Sequence, residues 1–352
     1  MRSQLATLDV THADMQAMVL SDPRTPNSVA AAAWTTTPIR KTSSSGSTFA
    51  QRDAAAPLAS GWRCRHTLHG HTSWVRTVAI SADGQYIASG SGDKRAALWS
   101  LDQGKRLTFL AGHQGWVRCV AFSPDGRWLA SAGNDNEIRL WDVRTQTLAA
   151  TLSGHRDWVR AVTFSADSRY LYSGSQDKTI GVWQVGQASP VKVLTGHEHW
   201  VRSLAVTTDG STLVSGGQDG QVHLHRLQNR GTHHVLNHST EIHSVATSPN
   251  NWLLATAGAD GFVRFWKVNS GRLITEFQAH SAAVNCVTFS PDGKLLATAS
   301  SDKTIRIWHI DSGRLIGILA GHTGWVWSAS FAPDSRTLVS GGWHGEIKIW
   351  QR

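Results

Sequence analysis

Seven histidines set the ruler for this chain. His71, His113, His155, His197, His238, His280 and His322 are separated by 42, 42, 42, 41, 42 and 42 residues. Other residues keep step with them. Twelve residues after each histidine comes Asp83, Asp125, Asp167, Asp209, Asn250, Asp292 or Asp334, mostly inside an S-P/A-D-G/S turn. Eighteen after lies a hydroxyl: Ser89, Ser131, Ser173, Ser215, Thr256, Thr298, Ser340. Twenty-two after lies Asp93, Asp135, Asp177, Asp219, Asp260 or Asp302, and then His344. Twenty-eight after lies Trp99, Trp141, Trp183, His225, Trp266, Trp308 or Trp350. Between these markers run short alternating segments such as RWLASAG and NEIRLWDV, which read as strands joined by tight turns, four to a repeat. A single four-stranded sheet cannot bury its own faces. Repeats of this length and content therefore stack radially and close into a ring, an all-β propeller of seven blades.

The markers carry a resemblance. A Gly-His, a Ser or Thr, an Asp and a Trp at these offsets resemble the WD-repeat family over residues 62–352. The resemblance implies that the four side chains of one repeat form a buried hydrogen-bonded tetrad. The physics agrees, because a buried indole N–H, hydroxyl, imidazole and carboxylate are costly singly and tolerable as a connected set. It also removes an enzymatic reading. Ser, His and Asp recur in every repeat, but a catalytic triad needs an exposed nucleophile and an oxyanion site, so seven copies in one buried register are architecture. No catalytic residue, cofactor or metal site is expected. The fourth repeat (His225 for Trp) and the seventh (His344 for Asp) depart from the pattern, and their blades are expected to be less stable.

The ends belong together as well. The segment WRCRHTLHGH matches what precedes every later marker histidine, so residues 62–68 are expected to complete the last blade, whose third strand ends the chain. Residues 1–61, rich in Ser, Thr, Ala and Pro from position 21 on, read as a flexible extension. Within it Leu5, Leu8, Met15, Met18 and Val19 recur at roughly helical intervals, which suggests a short helix over 3–20.

A repeated fold accounts for a repeated Gly-His. It does not account for the word WVR, which follows four of the histidines, at positions 74, 116, 158 and 200. Strand alternation places the valine on one side and the Trp and Arg on the other. In the family that these repeats resemble, this point is a bulge at the top rim of the channel, and the residues flanking the valine, with the residue before the tetrad Asp, commonly meet partners. Carried onto this chain, the implied rim holds Trp74 and Arg76, Trp116 and Arg118, Trp158 and Arg160, and Trp200 and Arg202. Blade five offers Glu241, His243 and Ala259, blade six Ala283, Asn285 and Ser301, and blade seven three tryptophans, Trp325, Trp327 and Trp343. Two readings of the word stand: a structural motif duplicated with its blade, the Trp shielding the strand start and the Arg stacked upon it, or a binding arc in which aromatics and guanidiniums recur because they act together.

The blade-seven tryptophans, which do not follow the WVR word, and four arginines around one opening favour the second. The formal net charge is +9, and the first 61 residues contribute five basic and four acidic residues, so the repeats carry nearly all of it. A basic surface suits acidic partners. An acidic protein segment, held by a subunit of a larger complex, is the first expectation; nucleic acid, in a ribonucleoprotein or defence complex, is the second. Cys64, Cys119 and Cys286 are odd in number and spaced neither for a disulfide framework nor for zinc, which fits a reducing cytoplasm. No run approaches eighteen apolar residues, and the start of the chain has no basic-then-apolar leader pattern.

Overall fold

The computed structural model describes residues 61–227 and 234–352; the extension over 1–60 and the helix expected over 3–20 lie outside them. The described residues form seven four-stranded antiparallel sheets and no helix. Blade one consists of Val75–Ile80, Tyr86–Ser91, Ala96–Ser100 and Lys105–Leu110, from the channel outward. Blades two to six repeat this order. The innermost strand of each blade touches that of the next, and the last, Val326–Phe331, touches Val75–Ile80, so the ring is closed.

Burial follows from the stacking. Second strands are covered on both faces by neighbouring blades, and Leu253–Gly258, Leu295–Ser300 and Thr337–Gly342 are buried at every position. The core is therefore shared between blades. Val75, Ile87 and Trp99 of blade one pack with Val339, Ile347 and Ile349 of blade seven. Each such side chain contributes about 1.5–3 kcal/mol by leaving water. The outermost strands face solvent, and Val191 and Val193 are among the exposed apolar residues.

Blade seven draws on both ends of the described chain. Arg63–Leu68 pairs antiparallel with Ile347–Gln351, with Arg63 opposite Gln351, Cys64 opposite Trp350 and Leu68 opposite Ile347. Lys348 Nζ donates to Thr67 Oγ1 at 3.1 Å across this pair.

One irregularity recurs in all seven blades. Val75 pairs with Ser91 and Thr77 with Gly90, leaving Arg76 outside the ladder. The same one-residue bulge falls on Arg118, Arg160, Arg202, His243, Asn285 and Trp327. A bulge bends the strand and re-aims the extra side chain.

Candidate functional site

The repeated polar residues meet in the order the offsets imply in blades one, two, three and six. His71 lies 2.8 Å from both Asp93 and Ser89, and Trp99 Nε1 donates to Ser89 Oγ at 2.8 Å. His113 has Asp135 and Ser131 at 2.8 Å, with Trp141 on Ser131. His155 joins Asp177 and Ser173, with Trp183 on the serine. His280 joins Asp302 and Thr298, with Trp308 on the threonine. The serine and threonine hydroxyls are fully buried, so none is an accessible nucleophile.

The two blades expected to be defective are repaired. In blade four His225 Nε2 reaches Ser215 Oγ at 3.2 Å, standing in for the indole N–H, while His197 keeps Asp219 at 2.8 Å. In blade seven His344 is exposed, and Glu346, two residues further on, supplies the carboxylate, 3.0 Å from His322 Nδ1. The real lapse is in blade five, whose sequence looks complete. There Arg264 Nη1 takes Asp260 at 2.8 Å and faces His238 Nδ1 at 3.4 Å. Burial first, then the Arg264 charge, pushes the His238 imidazole down to about 4. Arg264, four residues after Asp260 and on the strand that follows it, takes the aspartate; Arg139 makes the same contact to Asp135 in blade two, where His113 nevertheless keeps its carboxylate.

At the mouth of the channel the bulge separates what simple alternation would keep together. Arg76, Arg118, Arg160 and Arg202 line a cavity of about 170 Å³, together with His243, Asn285 and Trp327. The tryptophans that precede the valines are not part of that lining and form a collar around it. Their contacts cross from blade to blade. Trp74 meets Trp116 edge-on at 5.3 Å, and Trp116 meets Trp158 at 6.4 Å. Arg118 lies 5.7, 5.2 and 5.2 Å from the rings of Trp74, Trp116 and Trp158. Arg160 lies 4.3 Å from Trp200, and Arg76 lies 4.2 Å from Trp327 of blade seven. In that blade Trp325, Trp327 and Trp343 pack on one another at 5.1–6.2 Å. Gly92 serves this collar: a Cβ there would sit 2.6 Å from the Trp74 ring. Trp116, Trp325 and Trp343 remain 41, 44 and 45 % exposed. WVR thus has two halves with two positions, an indole on the collar and a guanidinium in the channel.

The four arginines are not equivalent. Glu241 holds the fourth: its carboxylate lies 2.8 Å from Arg202 Nη1 and 3.0 Å from His243 Nε2. Arg118 Nε donates to Asn134 Oδ1 at 2.7 Å and Arg160 Nη2 to Gln176 Oε1 at 3.1 Å, so neutral amides orient these two without cancelling their charge. Burial, and then the neighbouring guanidiniums, pull Arg76 and Arg160 down to about 9; Arg118 is pulled down to about 10 by burial first and by Arg202. A guanidinium keeps its proton in a protein. The downward pull therefore registers first the burial of these side chains and then their crowding by other cations. Blade six adds only Asn285, whose amide is committed to Ser301 and to the Val326 carbonyl.

The blade pattern matches the family model for the WD domain, G-beta repeat, at residues 62–100, 104–142, 146–184, 188–226, 231–267, 271–309 and 313–351. The chain belongs to the WD40 family. This WD40 propeller is similar over short stretches to several characterised proteins. It is 43 % identical over 63 residues to protein Mut11 of Chlamydomonas reinhardtii, 16 % of this chain and 17 % of that protein. It is 51 % identical over 45 residues to the small ribosomal subunit protein RACK1 of Medicago sativa, 13 % of this chain and 14 % of that one. It is 54 % identical over 41 residues to the vegetative incompatibility protein HET-E-1 of Podospora anserina, 12 % of this chain and 3 % of that protein. Stretches of this length amount to one or two blades of the WD40 propeller, so the likeness fixes the blade pattern and leaves the rim to its own residues. Among the described residues the propeller has no group of three or more His, Cys, Asp or Glu placed to hold a metal ion, and no helix long and apolar enough to cross a membrane. His223 is spent on packing: it stacks on His197 at 4.0 Å and bonds Gln221.

Proposed function

We propose that the chain is a non-enzymatic, cytoplasmic interaction scaffold whose collar and channel mouth engage an acidic segment of a protein partner, as a subunit of a larger complex. One observation carries the reading: exposed tryptophans of blades two and seven stand beside an opening lined by guanidiniums of which, among the described residues, only Arg202 is ion-paired with a carboxylate. Large aromatics held rigid beside a concentrated charge have the make-up of a binding hot spot. WD40 propellers serve in general as protein-interaction scaffolds, and the resemblance to a protein named for the small ribosomal subunit supports a place in a complex. Three free cysteines suit a reducing compartment. Nucleic acid fits less well, because unpaired bases need open aromatic faces and the collar rings already pack edge-on against one another.

The test is co-purification from native cells with and without nuclease, for the wild type and for Trp325→Ala with Trp343→Ala. The reading expects a protein partner that survives nuclease and is lost from the double variant at unchanged melting temperature. Loss of the partner on nuclease treatment would transfer the site to nucleic acid.

A further inference from the structure

We infer that the channel mouth is a phosphoryl-binding site, in which Arg76, Arg118 and Arg160 with the indole N–H of Trp327 close around one tetrahedral dianion. The inference deepens the reading of the same rim. It concerns the channel, where the proposed function also needs the collar.

The donor inventory leads to it. Among the described residues no Asp or Glu lines the cavity; Glu241 beside it is committed to Arg202 and His243, and Asp157 acts on Arg160 only weakly, after burial and three neighbouring guanidiniums. The lining hydroxyls of Ser203 and Ser328 are engaged by the backbone N–H groups of Val245 and Val78. Arg160 Nε and Trp327 Nε1 are buried without a partner. An indole nitrogen can only donate, and a guanidinium has no acceptor. Orphaned donors beside unneutralised cations call for an acceptor-only ligand.

Charge then chooses among acceptors. A carboxylate brings one negative charge to three guanidiniums. A phosphoryl group brings about 1.5–2 and three strong acceptor oxygens. The three guanidiniums come from three successive blades and line one small cavity, which suits a compact tetrahedral group better than an extended row of carboxylates. Asn134, Gln176 and the Trp327 ring hold them in place beforehand, and little side-chain entropy remains to be lost on binding.

The full chain is titrated calorimetrically with inorganic phosphate and with pyrophosphate, in chloride buffer at fixed ionic strength. Saturable one-to-one binding is expected, weakened at least tenfold by Arg76→Gln and by Arg160→Gln. Arg160→Lys should recover part of the loss, because a point charge does not reproduce the fork. Arg127→Gln, at a surface arginine resting on Trp128, controls for lost net charge and should bind as the wild type does. Two further titrations name the source of the phosphoryl group. A phosphoserine-bearing acidic peptide that binds tenfold tighter than both its glutamate counterpart and free pyrophosphate assigns the group to the partner's side chain. Pyrophosphate binding as tightly as that peptide assigns it to a diffusible anion. Absence of saturable phosphate and pyrophosphate binding, or wild-type affinity in both Gln variants, overturns the inference. An acidic peptide that still binds in that case would leave the proposed function standing alone, and phosphate binding without any segment partner would do the reverse.

Discussion

Glu346 Oε1 sits 3.0 Å from His322 Nδ1, in the place that an aspartate two residues nearer in sequence fills in blades one to four and six. The contact follows from strand geometry. The position 24 residues after the histidine opens the third strand and faces the same ring, and in blade three Thr179 Oγ1 approaches His155 Nδ1 to 3.5 Å from there. A glutamate at this point is long enough to take over. Lys348 Nζ, at 3.2 Å, then balances its charge.

Glu346→Gln should therefore destabilise the protein by about 1–3 kcal/mol, since it weakens a buried, charge-assisted bond. His344→Asp should stay within roughly 0.5 kcal/mol of the wild type, as an exposed substitution does. Urea unfolding of the two variants checks the pair. A clear gain for His344→Asp would mean that Glu346 does not fill the carboxylate's place.

Acid should act in two stages, with a definite sign. An unfolded histidine takes up its proton near pH 6.5, while His238 in the fold resists until about 4. The unfolded state thus binds more protons between these values, and stability present above about pH 6.5 is lost as pH falls toward 4. A second loss follows from Asp219 and Asp302. Burial alone would raise their pKa, but the hydrogen bonds from His197 and His280 outweigh it and hold both carboxylates near 2. Their contribution is present above about pH 3.9 and disappears as pH falls through 2. Denaturant midpoints from pH 8 to 2 should fall in both windows. His238→Gln should flatten the upper one in part, the remainder belonging to His322 and His243, which burial also lowers.

Glu241 is an internal anion occupying one end of the guanidinium row. Glu241→Gln should leave stability within about 1 kcal/mol, as for other partly exposed ion pairs. It should strengthen binding of an acidic peptide and steepen its salt dependence, because Arg202 joins the other three. Titrations at two ionic strengths measure both effects. Weaker binding would show that Glu241 organises the mouth rather than masking it.

The shared seventh blade predicts a sharp boundary for truncation. Removing residues 1–61 keeps the strand Arg63–Leu68, while removing 1–70 strips it from Ile347–Gln351 and uncovers a sheet edge. The shorter truncation should stay soluble and monodisperse, and the longer should aggregate. Light scattering of the two proteins decides it. Equal behaviour would mean that the pairing does not protect the edge.

The period of the marker histidines was enough to read seven blades, because the fold needs the same few polar side chains at the same strand positions each time. The rest escaped for identifiable reasons. The marker offsets do not show Glu346 reaching back to His322, or Arg264 taking Asp260 four residues before it, because neither Glu346 nor Arg264 is a marker residue. Alternation alone places Trp74 and Arg76 on one side because it assumes an unbroken ladder; the bulge that the resemblance implies at this point falls after Val75 and separates the two. For the same reason the ring contacts between Arg76 and Trp327, from opposite ends of the propeller sequence, had no local signal.

The seven bulges have an evolutionary consequence. Arg76, Arg118, Arg160, Arg202, His243, Asn285 and Trp327 stand outside the cross-strand pairing, so exchanging any of them leaves the ladder that supports it intact. The residues that hold the ring together and the residues that line its opening are thereby inherited separately. Duplication supplies near-identical blades, and drift at one site per blade then writes a different ligand preference into a scaffold that does not have to be refolded to accept it.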